Sequence, residues 1–285
     1  MKGLITRNLR LFFASKSGIF FSLMGALISF VLYLVFLKQM MTQNWQSVPD
    51  SKNLLDLWLM GGTLTVTAIT TTGNALGLMV KDRESNRLAD LILTDQSYLK
   101  IHSAYLLSAW LVGIIMQLAM YLIMQAYFMI QDGIGFESSI LLPLLVVMIF
   151  SSLIWSVFNM LLFSFVKKVD TLGKISTIIG TASGFFAGVY MPIGNLPNFA
   201  KWLMKLTPVP YDSAIFRQVM MKNQLNDSFK NAPTEIITKF KTEMGIVIGQ
   251  NFNNDLKFMG LALVILAILV IILYRYNQRV VVNKV

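Results

Sequence analysis

The chain has 285 residues, of which 55% are hydrophobic and only 13% are charged, and its mean hydropathy is +0.64. Soluble domains carry about 25% charged residues, so this composition excludes an ordinary soluble protein and predicts an all-α polytopic membrane protein. The net charge of +10 fits basic span ends at a membrane surface better than nucleic-acid binding. With no cysteine and one histidine, disulfides, thiol catalysis and sites needing two histidines are excluded.

Residues 1–17 predict an amphipathic interfacial helix on the cytoplasmic side. Ile5, Leu9, Phe12 and Phe13 share one face, while the basic side chains lie mostly elsewhere. The alternative interpretation is that this helix simply prolongs the first span. The apolar run that follows is longer than a signal-peptide core and lacks a cleavage-type sequence, so we expect a retained span.

Six stretches are long and apolar enough to cross a bilayer, which takes about 20 residues. They are residues 18–37, 57–80, 103–130, 140–166, 172–191 and 256–274. Fourteen Lys and Arg residues lie in the short connections and termini on one side, against two on the other. Because basic residues concentrate in cytoplasmic loops, both termini are expected in the cytoplasm.

The long connection at residues 192–255 is expected outside the cell. Apolar residues recur in it at helical spacing, first from Leu196 to Leu206 and again from Ile236 to Ile248. Two or three short helices are therefore predicted to cap the bundle there.

Residues 81–100 interrupt the apolar pattern with eight charges. Each would cost roughly 2.5–3.5 kcal/mol at the bilayer centre, so this segment lies in water. Leu88, Leu91 and Ile92 form a helical stripe, and Arg87 has acidic residues three positions away on both sides. The pattern fits either a solvated helix on the lipid headgroups or a docking helix for a cytosolic partner.

No catalytic constellation, cofactor site or metal site is predicted in this chain. The only Gly-Lys pair, Gly173-Lys174, lacks the flanking residues of a P-loop, so ATP is not bound by that route. His102 is expected to be an interfacial histidine at a span end. No charged residue lies deep in a predicted span, so the usual signature of proton relays and voltage sensors is missing.

Two groups of small or polar residues lie within the predicted spans. A stripe at every fourth position predicts close helix contact, within the chain or at a dimer interface, and consists of Ser176, Gly180, Gly184 and Gly188. A threonine cluster that includes Thr67, Thr70 and Thr71 fits interhelical hydrogen bonds or the lining of a pathway.

Residues 83–94 resemble the cytoplasmic segment of type-2 ABC exporter membrane subunits, whose pattern is approximately R-E-x-G-T-L-x-x-L-L-x-T-P. Residues 188–197 resemble that family's G-x-x-x-P-x-x-x-L-P region, followed here by Pro208, Pro210-Tyr211 and Arg217. Asn86 replaces the usual glycine and Asp95 the usual proline.

The resemblance implies a half-transporter of the bacterial cytoplasmic membrane, in which two permease subunits, identical or different, form a dimer. Separate ABC ATP-binding subunits, which carry ATP and Mg, would dock beneath them. Residues 81–102, named here the coupling segment, would contain the coupling helix. The motion would be transmitted by Glu84, Arg87, Leu88, Leu91 and Ile92. The complex would export an amphipathic, lipid-like, drug or toxin-type substrate.

The sequence also leaves open two other functional classes of membrane protein. An ATP-independent membrane channel or assembly factor predicts no ATPase partner. A membrane-embedded enzyme would need acidic pairs, histidines or a metal within the spans, and the sequence offers one histidine at a span end.

Overall fold

The computed structural model describes residues 1–46, 48–92, 96–230 and 232–282, without the side chains of residue 92 and residues 276–282. All regular structure in these ranges is helical. In chain order the α-helices are α1 Lys2–Ala14, α2 Lys16–Leu32, α3 Lys38–Asn44, α4 Ser51–Glu84, α5 Arg87–Ile92, α6 Tyr98–Asp132, α7 Ser138–Ser164, α8 Val169–Phe186, α9 Asn198–Lys205, α10 Val209–Met220, α11 Lys222–Ser228, α12 Thr234–Glu243 and α13 Phe252–Val282. A π-helical turn, Tyr33–Leu37, joins α2 to α3.

In the described residues, five helical stretches are long and apolar enough to cross a membrane. They are Lys16–Asn44, Ser51–Glu84, Tyr98–Asp132, Ser138–Ser164 and Phe252–Arg275. Five of the six predicted spans coincide with them. The sixth, residues 172–191, falls on α8, which ends at Phe186 and is not among the five. Asp170, Lys174 and several small polar residues lower the hydropathy of α8.

Helix α4 is the central element of the bundle, and 94% of its most apolar 18-residue stretch is buried. It packs against α2, α6, α7, α8 and α10. Its many glycines and threonines explain this position, because small side chains let neighbouring helices approach closely on every side. The hydroxyls donate back to the helix itself, as Thr67 Oγ1 does to the Thr63 carbonyl at 2.8 Å.

Helix α8 runs antiparallel to α4 along most of its length. Leu172, near the start of α8, packs against Gly77, and Val189, just beyond its end, packs against Gly62. The turn after α8 contains Gly188 with φ +66, a backbone conformation that side chains other than glycine rarely adopt. Gly188 therefore lies outside the helix to which the sequence pattern assigned it.

The segment 192–255 does not only cap the bundle. Helix α10 inserts between α4, α7 and α13, and its Asp212 carboxylate accepts hydrogen bonds from Ser151 and Trp155, midway along α7. Hydropathy underrates α10 because its buried face carries Asp212, Ser213 and Arg217. Two charged residues outside the predicted spans are therefore buried in the bundle: Asp212 is 1% and Arg217 0% exposed.

Helix α1 is a separate helix rather than an extension of α2. The chain breaks at Ser15, whose Oγ accepts a hydrogen bond from the Gly18 backbone N–H at 3.1 Å and caps α2. Helix α1 packs across α6 and the end of α4 and buries Asn8. The N-terminal helix is thereby held against the same end of the bundle as the coupling segment.

Candidate functional site

The last residues of α4 connect several helices at the coupling-segment end of the bundle. Asp82, Arg83 and Glu84 are consecutive, and successive side chains on a helix point about 100° apart. Each therefore reaches a different neighbour. This three-residue run, residues 82–84, is named here the α4 junction.

Asp82 ties α4 to α1 and α6. It is 1% exposed and accepts two hydrogen bonds from the Arg7 guanidinium, at 2.7 and 2.9 Å, and one from the Tyr105 hydroxyl at 2.5 Å. Donating these hydrogen bonds to the Asp82 carboxylate raises the pKa of Arg7 above its ordinary value. A second link between α1 and α6 runs from Asn8 Nδ2 to Ser108 Oγ at 3.2 Å. Because the Arg7 guanidinium bonds to both oxygens of Asp82, this pair fixes the orientation of α1 as well as its position.

Arg83 and Glu84 extend the junction to α7 and α8. Arg83 Nη1 donates to the carbonyl oxygens at the end of α7, those of Phe163 at 3.1 Å and Val166 at 2.5 Å among them. Such contacts suit a cation, because a helix C-terminus carries partial negative charge. Glu84 Oε2 accepts from the backbone N–H of Val169, the first residue of α8, at 3.1 Å. Here the partial charge is positive, so a carboxylate fits.

Within the coupling segment, the structure turns the apolar stripe toward the bundle. Leu88 is 7% exposed and belongs to the apolar cluster of α4, α6 and α7, and Leu91 packs against that cluster. Arg87 is exposed. The sequence pattern predicted ion pairs with the acids on both sides of it, but in the described residues Arg87 forms neither. The acid on its N-terminal side is instead engaged by α8. The side chain of Ile92 and residues 93–95 lie outside the description.

Asn86 explains one departure from the family pattern. Its φ is +60, in the left-handed region where glycine is favoured and asparagine is the best-tolerated substitute. Its carbonyl accepts from the backbone N–H groups of Ala89 and Asp90 and so begins α5. The turn is thus retained without the glycine.

A groove of about 460 Å³ lies between α2 and α8 with α4 as its floor. Ser176, Gly180 and Thr70 line it, whereas Gly184 packs beneath the Tyr190 ring. Lys81, the residue before the α4 junction, also lines the groove. The small-residue stripe is therefore divided between the groove and packing inside the chain, and only its first two members face the groove.

The other two threonines of the predicted cluster do not face this groove. Thr67 and Thr71 are both 0% exposed and donate to backbone carbonyls one turn earlier, at 2.8 and 2.6 Å. Both hydroxyls are therefore bonded within α4 itself, and these bonds are not the interhelical hydrogen bonds that the sequence analysis expected.

At the opposite end of the bundle, Lys38 joins three helices. Its Nζ lies 2.9 Å from Asp56 and 2.6 Å from Asp132, which Lys52 also contacts. The Tyr33 hydroxyl donates to Asp56 at 2.8 Å. This cluster ties the α2–α3 stretch to the first turns of α4 and the last turn of α6.

Arg217 is the second anchor at that end. It donates to the carbonyl oxygens of Trp58 at 3.2 Å, Ala187 at 2.8 Å and Gly245 at 3.3 Å, and its guanidinium lies 4.4 Å from the Trp58 ring centroid. These contacts connect α10 with α4, the turn after α8 and the connection before α13. A fully buried cation is thus held by carbonyl dipoles and an aromatic face.

His102, near the start of α6, is buried within the protein. It is 2% exposed, its ring lies 4.1 Å from that of Tyr98 and 4.4 Å from that of Tyr274, and Nδ1 lies 2.8 Å from the Tyr98 carbonyl oxygen. Since a carbonyl only accepts, Nδ1 carries the proton. The residue fills an aromatic stack between α6 and α13.

Sequence reasoning missed Arg7, Asp82, Tyr105 and the Lys38 cluster. Their partners are separated by up to 94 positions in the chain, so no local pattern pairs them. One signal was available: each acid lies at or near the end of a long apolar helix, where an unpaired charge would be costly.

The family comparison agrees with this architecture. A family model described as "ABC-2 type transporter" matches residues 1–221, which include α1, the α4 junction, the coupling segment and α10. No curated protein matches the chain. Permeases of this family generally partner with an ATP-binding subunit. The chain belongs to the ABC-2 type transporter family and is a multi-pass membrane permease component.

Proposed function

We propose that this chain is the non-catalytic permease subunit of an ATP-driven exporter, and that the α4 junction is where the motion of an ATPase partner enters the bundle. One observation carries the proposal: three consecutive residues at the end of α4 bond to α1, α6, α7 and α8. A displacement of α5 therefore reaches four other helices through a single turn of α4.

The docking surface for the ATP-binding subunit is the solvent side of α5 and its flanks. Arg87 and Glu84 are exposed there, while Leu88 and Leu91 face the bundle. We assign contact with the partner to the charged pair and transmission into the bundle to the two leucines. Ile92 remains a predicted member of the transmitting set.

Six crossings with both termini in the cytoplasm require α8 to cross the membrane. Two features support this. Helix α8 lies alongside α4 from Gly77 to Gly62, and its 18 residues would span about 27 Å. The bilayer core is about 30 Å thick, so α8 and its following turn are long enough.

The polar face of α8 supports pairing with a second permease subunit. Ser176, Thr177 and Thr181 are exposed on a helix surrounded by apolar spans. Contact between such a polar face and lipid hydrocarbon is unfavourable. Small and hydroxyl side chains are instead suited to a close helix contact or to a water-filled pathway. We place the dimer interface and the substrate pathway along the α2–α8 groove, with Thr70 on its wall. The amphipathic, lipid-like, drug or toxin-type cargo would pass there.

Co-purification with the ATP-binding subunit tests the docking surface. Arg87→Glu reverses an exposed charge, so the permease should fold normally while capture of the ATPase falls about tenfold or more. Lys230→Glu, an exposed substitution at the opposite end of the bundle, is the matched control. Equal capture by both variants, or substrate transport without nucleotide, would contradict the proposal and favour an ATP-independent channel.

The orientation has an independent test. Because the chain has no cysteine, Ser85→Cys and Asn226→Cys each give a single thiol. A membrane-impermeant maleimide applied outside intact cells should label the second and not the first. The reverse labelling would overturn the topology.

A further inference from the structure

A cavity whose lining mixes apolar and polar side chains lies at the end of the bundle opposite the coupling segment. It has a volume of about 510 Å³ and is bounded by the first turns of α7, by α10 and α11, and by α12 with the connection that follows it. Its polar lining comprises Ser139, Gln218, Lys222, Asn223, Asn226 and Lys241. Part of this wall lies beyond residue 221, where the family match ends.

The cavity is positively charged. Among the described residues, Lys222 and Lys241 have no carboxylate within salt-bridge distance, and no Asp or Glu lines the cavity. Two acids that contact lining residues, Glu137 and Asp255, accept hydrogen bonds from neutral donors rather than from the lysines. Glu137 accepts from Asn223 Nδ2 at 2.5 Å, and Asp255 accepts from Gln218 Nε2 at 2.8 Å and from the Gly249 N–H at 2.6 Å. Two ammonium groups are left for an anion.

An apolar groove continues directly from this cavity. It has a volume of about 480 Å³ and shares Pro143, Val219 and Phe252 with the first cavity. It runs between α7 and α13, both of which are long and apolar enough to cross a membrane. Leu142 and Val146 line it and are 73% and 58% exposed.

The single acid on the described lining of this groove is Asp212. Its Oδ2 accepts hydrogen bonds from Ser151 Oγ at 2.7 Å and from Trp155 Nε1 at 2.8 Å. The groove therefore offers an entering ligand an apolar surface, above which lies the cationic cavity.

We propose that these two cavities form one site for an anionic phospholipid of the leaflet at that end of the bundle. The headgroup phosphate would lie between Lys222 and Lys241, and an acyl chain would lie along Leu142 and Val146. Along the direction of the membrane helices, the two lysines are followed by the apolar groove. This is the order in which a phospholipid presents its charged headgroup and its acyl chains. A second copy of this chain fits less well, since its matching face would bring the same two lysines against their counterparts.

Native mass spectrometry of the purified full-length permease tests the site. The detergent-solubilised protein is titrated with phosphatidylglycerol and with phosphatidylcholine of the same acyl chains. The anionic lipid should bind more tightly. Lys222→Gln or Lys241→Gln should weaken it about fivefold, and the double substitution about thirtyfold, since each basic side chain near a membrane surface contributes on the order of 1 kcal/mol.

The matched control is Lys230→Gln with Lys239→Gln, which removes two charges from the same region outside the cavity. It should leave the affinity for phosphatidylglycerol unchanged. Equal loss in the control, or equal affinity for the two lipids, would overturn the proposal because it would show unspecific attraction.

Two further arms identify the ligand. Val146→Trp fills the apolar groove and should weaken phosphatidylglycerol binding while both lysines remain. Glycerol phosphate, the free headgroup, should bind far more weakly than the lipid; equal affinity would make this a site for a soluble anion. Loss of the lipid on dimerisation would instead assign the face to a second copy. If the double lysine variant fails to fold, the single variants and Val146→Trp still decide.

Discussion

The two ends of the bundle both carry buried ion clusters, but they are built differently. At the coupling end, Asp82 is bonded by Arg7, whose side chain is 30% exposed. At the opposite end, Lys38 is 15% exposed, its partner Asp56 is 0% exposed, and Arg217 is fully buried. A pair that water reaches separates at lower cost than one enclosed by protein.

The difference indicates a division of labour. The α4 junction gathers four neighbours around consecutive residues close to solvent, so one local movement can rearrange all of them. The opposite end uses residues far apart in sequence to fix the α2–α3 stretch, α4, α6 and α10 to one another. We therefore expect substitutions at the opposite end to lower stability most, and those at the coupling end to affect coupling more than stability.

Arg217→Met should give the largest loss of stability. The substitution removes the donors of at least three buried carbonyl groups, and each unsatisfied group costs about 1–3 kcal/mol. The thermal unfolding midpoint of the purified permease measures the effect. Lys205→Met, an exposed change nearby, is the control. Arg217→Lys should rescue only in part because it lacks the fork geometry; full rescue would refute the role of that geometry.

Lys38→Met should give the second-largest loss of stability, with a free energy of unfolding lower by about 3 kcal/mol. It leaves Asp56 buried with the Tyr33 hydroxyl as its remaining partner. Asp132 retains its ion pair with Lys52 in this variant, so the end of α6 is destabilised less than α4. The same melting measurement applies, with Lys52→Met as the milder comparison. If Lys52→Met destabilised the protein more, the assignment of Lys38 as the central cation would be wrong.

Asp82→Asn should lower the free energy of unfolding by less, about 2 kcal/mol, because the Arg7 side chain can turn toward water when it loses this partner. It should also release α1. A cysteine placed at Leu4, which packs against the apolar cluster of α4 and α6, should then react faster with a maleimide. Asp90→Asn, at an exposed position of α5, is the matched control. Unchanged labelling in Asp82→Asn would show that α1 is held by other contacts.

Glu84→Gln should have the smallest effect on stability, below about 1 kcal/mol, since it weakens one cap at the start of α8. Its effect on coupling should be larger: ATPase activity of the complex should persist while transport per ATP falls. Transport and hydrolysis measured together in proteoliposomes give this ratio. A ratio equal to wild type would separate α8 from the coupling route.

The sequence predicted the parts of this molecule that depend on composition and periodicity. Five membrane helices, the charged interruption between α4 and α6, and the family itself follow from apolar run length, charge and local motifs. Even the departure at Asn86 proved compatible with the family pattern, because its positive φ needs either glycine or asparagine.

The tertiary structure decided which polar groups meet and which faces are buried. Arg7 and Asp82 are 75 positions apart, and the inward direction of Leu88 depends on how α5 rotates against the bundle. Helix α10 escaped detection because Asp212 and Arg217 on its buried face look like surface charges in a sequence. Helical period fixes which residues share a face, but only packing determines what that face contacts.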